Sequence, residues 1–162
     1  MKSPTINLIV LLSITCFLLS CNKNDNDFET VNIEAVYFNS LENEILSLVN
    51  FHRESIGLHK VSTLNQPYTE ATNHTKYMIQ QGKTSHDNFD IRSRNLMAGS
   101  SARVILENVA AGYLTAESVM KQWFNSASHR AVIENPEVQY MGISAQKDSQ
   151  GSNYYTQIFI GK

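Results

Sequence analysis

The chain reads as an α+β domain, a three-layer α/β/α sandwich around a small, mainly antiparallel sheet, and three observations predict it. Apolar positions in the first half recur at helical spacing. Those in the last quarter alternate, and the final segment from Tyr154 to Ile160 is apolar on both faces. Tyr154, Ile158 and Ile160 point one way and Tyr155 and Phe159 the other. Such a strand needs cover above and below, hence a layer on each side.

Leu41, Ile45, Leu48, Val49 and His52 form the first helical stripe, with Ser40 placed to cap it, Glu42 and Glu44 in the first turn, and Gly57 to end it. A second helix is expected from Asn65-Gln66-Pro67, where proline is tolerated in the first turn, to a stop at Gly82. The stretch from Asp87 to Ser101 mixes Asp, Asn, Arg, Ser and Gly without a period and reads as a long surface loop. A third helix follows Thr115, carrying Val119 and Trp123 one turn apart, and Asn135-Pro136 ends the helical turn that carries His129. Met141, Ile143 and Ala145 then alternate, Asp148 to Asn153 supplies a turn containing Gly151, and the last strand follows.

The N-terminus sets the compartment. Lys2 precedes an apolar run from Ile6 to Leu19, of signal-peptide length and too short for an ordinary transmembrane helix. It ends in Leu18-Leu19-Ser20-Cys21, which resembles the bacterial lipobox. On that reading residues 1–20 are a lipoprotein signal peptide, Cys21 becomes an acylated N-terminus, and 21–33 is a polar, flexible tether. The protein is then exported and lipid-anchored to the bacterial cell envelope, with the membrane as a partner. The second cysteine, Cys16, leaves with the leader, so the mature domain must be stabilised by its core without disulfides. Loss of Lys2 takes the formal net charge from −2 to −3, and with no block of basic residues no nucleic-acid partner is expected.

Chemistry concentrates in Ser85-His86, Glu107-Asn108-Val109-Ala110 and the run from Trp123 to His129-Arg130. These bring two imidazoles and a carboxylate, the groups that bind metals or move protons near neutral pH, beside core-type residues. His52 and His74 are expected to be packing or surface residues, and Trp123 a core residue. Arg53 and Arg130 are expected to pair with carboxylates at helix ends.

The order of these pieces carries a resemblance. Leu48-Val49-Asn50, Arg53, Gly57-Leu58, Met78, Ser85-His86, Glu107-Asn108-Val109-Ala110, Trp123, Ser126, His129-Arg130 and Tyr155-Thr156-Gln157-Ile158-Phe159 together resemble the CAP superfamily of cysteine-rich secretory, antigen 5 and pathogenesis-related 1 proteins, in its bacterial, cysteine-poor branch. The resemblance covers Leu41 to Lys162 and implies one α/β/α domain over 34–162. Eukaryotic members commonly hold two His and two Glu in a cleft, a tetrad linked in some to divalent metal. His86 and Glu107 match two of those positions, whereas Ser126 and Tyr154 replace the others. His129, one helical turn after Ser126, is expected to supply a second imidazole. His86, Glu107 and His129 would then form the ligand-binding cleft and a set able to hold zinc or another divalent metal with water in the open position. A structural role for Glu107, organising its surroundings by hydrogen bonds, stands beside that reading.

Three functional classes follow. One is an envelope binding module for a small ligand, lipid or cell-wall fragment. The second is a metal-assisted, peptidase-like hydrolase using Glu107 as ligand or general base. The third is a structural or interaction domain without catalysis, since fold alone does not fix function.

Overall fold

The computed structural model describes residues 36–162. The expected signal peptide, Cys21 and the tether lie outside the described residues. In chain order the elements are α1 (Ser40–Ser55), β1 (Ser62–Thr63), α2 (Asn65–Gln81), α3 (Phe89–Ser100), β2 (Val104–Ala111), α4 (Ala116–Asn125), α5 (Ala127–Ile133), β3 (Tyr140–Lys147) and β4 (Asn153–Gly161).

The strands lie in the order β1-β3-β4-β2. β4 is antiparallel to both neighbours, and the two-residue β1 runs parallel to β3. All nine residues of β4 are buried, and its alternation divides the core in two. Tyr155 and Phe159 pack with Ile45 and Val49 of α1, Val119 and Trp123 of α4 and Ile133 of α5. Ile158 and Ile160 pack with Ala71 of α2 and Leu96 of α3. Helices therefore cover both faces of a mainly antiparallel sheet, as the sequence predicts.

Local signals explain most boundaries. The cap of α1 is Asn39 rather than Ser40: its side chain accepts from the Glu42 amide at 2.9 Å while Glu42 Oε2 accepts from the Asn39 amide at 2.9 Å. The other oxygen, Glu42 Oε1, accepts from the Ala145 amide at 2.8 Å and so ties α1 to β3. Gly82 closes α2 in the left-handed conformation at φ +65°, and Thr115 opens α4 with a reciprocal cap to Ser118. Gly142 of β3 lies against the main chain of Pro67 and Tyr68, where no Cβ fits, so the start of α2 sits directly on the sheet.

Two further expectations change. Most of the segment read as a loop is the helix α3, whose inward stripe is Arg92, Leu96 and Ser100. Only one of the three is apolar, so hydrophobic periodicity does not reveal it. Arg53, fully buried, pairs with no carboxylate among the described residues. It donates to the carbonyls of His59 (2.8 Å), Ile133 (2.7 Å), Asn135 (2.9 Å) and Val138 (3.3 Å), binding the end of α1 to the end of α5.

Candidate functional site

β2 is an edge strand, and the hydrogen-bond ladder fixes which way its groups point. Gly112 N–H donates to the Asn153 carbonyl at 2.8 Å in the register that pairs Ala110 with Tyr155 and Asn108 with Gln157. In an antiparallel ladder bonded pairs alternate, so even-numbered residues of β2 bond to β4. The main-chain groups of Ile105, Glu107, Val109 and Ala111 face away from the sheet. The side chains alternate across the other direction: Glu107 shares the face of Ile158, toward α3, and Asn108 shares that of Gln157, toward α5.

Glu107 is the centre of the site. Its side chain is 2 % exposed and meets Arg92 of α3 in a two-pronged pair, Nε to Oε2 at 2.8 Å and Nη2 to Oε1 at 2.8 Å. His86 Nδ1 lies 2.8 Å from the same Oε1. A carboxylate only accepts, so Nδ1 carries the proton and, in the neutral ring, Nε2 is left as an acceptor. The His86 side chain is 53 % exposed.

The segment presenting His86, between α2 and α3, is held at several points. His74, buried in α2, donates through Nε2 to the Ser85 carbonyl at 2.7 Å. Tyr77 donates to Asp87 at 3.0 Å, and Arg92 Nη1 donates to the Asp87 carbonyl at 2.7 Å. Burial pushes the His74 pKa down, against the opposing effects of the Ser85 bond and of Glu107.

His129 stands apart from the pair. Its carbonyl accepts from Asn108 Nδ2 at 3.1 Å, while its buried Nδ1 has no hydrogen-bond partner among the described residues. Burial lowers its pKa, and His86 adds to the shift. It lines a cavity of about 280 Å³ with Thr84, Val109, Ala111 and Gln122. His86 and Glu107 line another, of about 170 Å³, with Phe89, Ile105 and Val132.

The expected metal ligand set of His86, Glu107 and His129 is not assembled. Among the described residues no group of three or more His, Cys, Asp or Glu side chains is arranged to hold a metal ion. Both Glu107 oxygens already face a guanidinium, whose charge opposes a cation there. The replaced tetrad positions supply no carboxylate: Ser126 bonds with Ser128 at 3.0 Å, and Tyr154 pairs across the sheet with Ala111. The residues therefore do not fit a divalent metal.

Arg92 lies in the aperiodic segment from Asp87 to Ser101, whose composition reads as a loop. Its spacing from Leu96 and Ser100, one helical turn at a time, is the signal that could have exposed it. A further cavity, of about 390 Å³, lies between α1 and α4, lined by Leu48, Phe51, His52, Met120 and Phe124, and no motif in the sequence marks it.

The order of these elements and the Glu107 strand agree with a match to the model of the cysteine-rich secretory protein family, CAP, over residues 46–159. The chain belongs to the CAP family. This CAP domain contains no cysteine in its described part, where the family's name would lead one to look for several. The protein YkwD of Bacillus subtilis is 31% identical over 127 residues, spanning 75% of this chain and 47% of YkwD. The CAP chain thus spans about half the length of that relative. An outer surface protein of Borrelia burgdorferi superposes with a TM-score of 0.70 at 16% identity, covering 78% of this chain and 96% of the Borrelia chain. An extracellular SCP-domain protein of Bacillus anthracis gives 0.66 at 23% identity, covering 79% of this chain and 45% of that one. Both superpositions show the shared CAP fold.

Proposed function

We propose that this CAP protein is an exported lipoprotein of the bacterial cell envelope, anchored through Cys21, that binds a ligand in the groove beside β2. Export is supported by the leader and by the outer-surface and extracellular relatives. Lipid attachment is supported by the Leu18-Leu19-Ser20-Cys21 motif.

One observation favours binding over hydrolysis. A hydrolytic Glu107 would need a free oxygen for water or metal, and both its oxygens are engaged by Arg92, one of them also by His86. Glu107 instead orients His86, whose Nε2 offers an acceptor to a ligand, with His129 lining the groove farther along β2.

The test is a titration of the protein with a soluble cell-wall digest and with acidic peptides, following the His86 and His129 imidazole resonances and the composition of the ligand. A ligand that shifts both rings and is recovered intact supports the reading. Failure of every ligand to move either ring overturns it. So does a bound ligand that is cleaved by the wild type and left whole by folded Glu107→Gln.

A further inference from the structure

Between Ile105 and Ala111, β2 offers about 20 Å of strand edge, at ~3.4 Å per residue. The main-chain N–H and C=O groups of Ile105, Glu107, Val109 and Ala111 point outward along it. Among the described residues one of them has a partner: the Val109 carbonyl, 3.3 Å from Trp123 Nε1. An edge of this kind is a template for another strand.

The edge is also open. One cavity touches Ile105, Leu106 and Glu107 and the other Val109, Ala110 and Ala111, so together they follow the strand along its length. Thr84, His86 and Phe89 form one wall and Gln122, His129 and Val132 the other. Natural edges are guarded by inward-pointing charge, and Glu107 at mid-strand, neutralised by its own arginine, is such a guard against indiscriminate pairing.

Exposed cations outnumber unpaired acids around the groove. Lys83, Arg103 and Arg130 are exposed, adjoin Thr84, Val104 and His129 respectively, and have no ion-pair partner among the described residues. Of the nearby acids, Glu107 is paired with Arg92 and Asp90 with Arg94 at 3.1 Å, whereas Asp87, which accepts from Tyr77 at 3.0 Å, is an exposed carboxylate that sets one negative charge near Lys83.

We infer that the ligand of this groove is an extended acidic peptide segment of another protein, which adds to the edge of β2 as a fifth strand. Main-chain groups at strand spacing select an extended chain. The three rim cations select acidic side chains on it, and His86 Nε2 accepts one donor from it. The inference rests on the binding role proposed above and names the ligand class.

The experiment uses the full chain, isotope-labelled and held in detergent micelles, with peptides matched to the eight residues of β2. In these peptides Glu or Asp alternates with Val, Thr or Tyr. Controls carry Lys for the acids, or N-methyl groups on alternate amides. Binding by an acidic peptide should shift, and slow the exchange of, the amides of Ile105, Glu107, Val109 and Ala111. The amides of Leu106, Asn108 and Ala110, already bonded to β4, should change least.

N-methylation of the peptide should weaken binding at least about tenfold, as should Arg103→Glu combined with Arg130→Glu. Ala111→Pro removes one outward N–H and leaves the ladder to β4 intact, so it should weaken binding similarly. The N-methylated peptide decides the matter should that variant misfold. Equal binding of the Lys peptide, or shifts confined to the α1–α4 cavity, overturns the inference. So does an acidic set silent at about 1 mM. If a wall fragment still moves the His86 and His129 rings, the peptide is wrong and the binding role stands. If nothing moves them, both fall.

Discussion

At the scale of residues, the weight of the site rests on the Arg92–Glu107 pair rather than on either histidine. Both side chains are nearly dry, at 6 % and 2 % exposure, and their two contacts are each 2.8 Å. Removing one partner of such a pair strands a buried charge and costs about 3–5 kcal/mol, whereas replacing both with apolar groups is often near neutral. Arg92→Met should therefore destabilise the domain by about that amount, and Arg92→Met with Glu107→Leu should recover most of the loss. Urea denaturation at pH 7 measures both, and a double variant no more stable than the single would contradict the argument. His86 is half in solvent, so its contact with the same carboxylate contributes less, and His86→Ala should cost under about 1 kcal/mol.

Among the elements, those with apolar periodicity and cap residues were legible in the sequence. Gly82 ends α2, Thr115 begins α4, and the alternation of Met141, Ile143 and Ala145 marks β3. The elements around the site were not legible, for a physical reason. α3 is held by a salt bridge as well as by Leu96, and β2 carries Glu107 and Asn108 at its middle, so neither shows the pattern of a greasy face. His74 belongs to this polar scaffold: read as a packing or surface residue, it is buried and holds the Ser85 carbonyl next to His86. Its folded pKa lies below the ordinary 6.5, with burial as the main cause. The unfolded chain therefore takes up the proton first as pH falls through about 6.5. The stability tied to neutral His74 is full above that value and is lost as pH drops toward the lowered folded pKa. His74→Gln should give a shallower fall in thermal midpoint between pH 7 and pH 5 than the wild type. Parallel curves would show that His74 does not titrate in this way.

For the whole molecule, β4 is the reason that the architecture could be read from the chain. Its two apolar faces demanded two layers, and the structure places α1, α4 and α5 on one side and α2 and α3 on the other. The candidate groove could not be read so directly, because it is defined by the absence, among the described residues, of a neighbour beside β2, a property of sheet order rather than of local sequence. Under the proposed function, sheet order would also bear on how the domain meets its ligands. A single domain that binds through one strand edge gains from being held where its ligands are, since tethering raises their effective concentration. Acylation of Cys21 would supply that tether, several acyl chains on one residue being enough for stable attachment. Expressed in bacteria with its own leader and fed labelled palmitate, the protein should carry the label, and Cys21→Ser should carry none. Label on both forms would place the attachment elsewhere. Label on neither would remove the anchor and leave the groove to act in free solution.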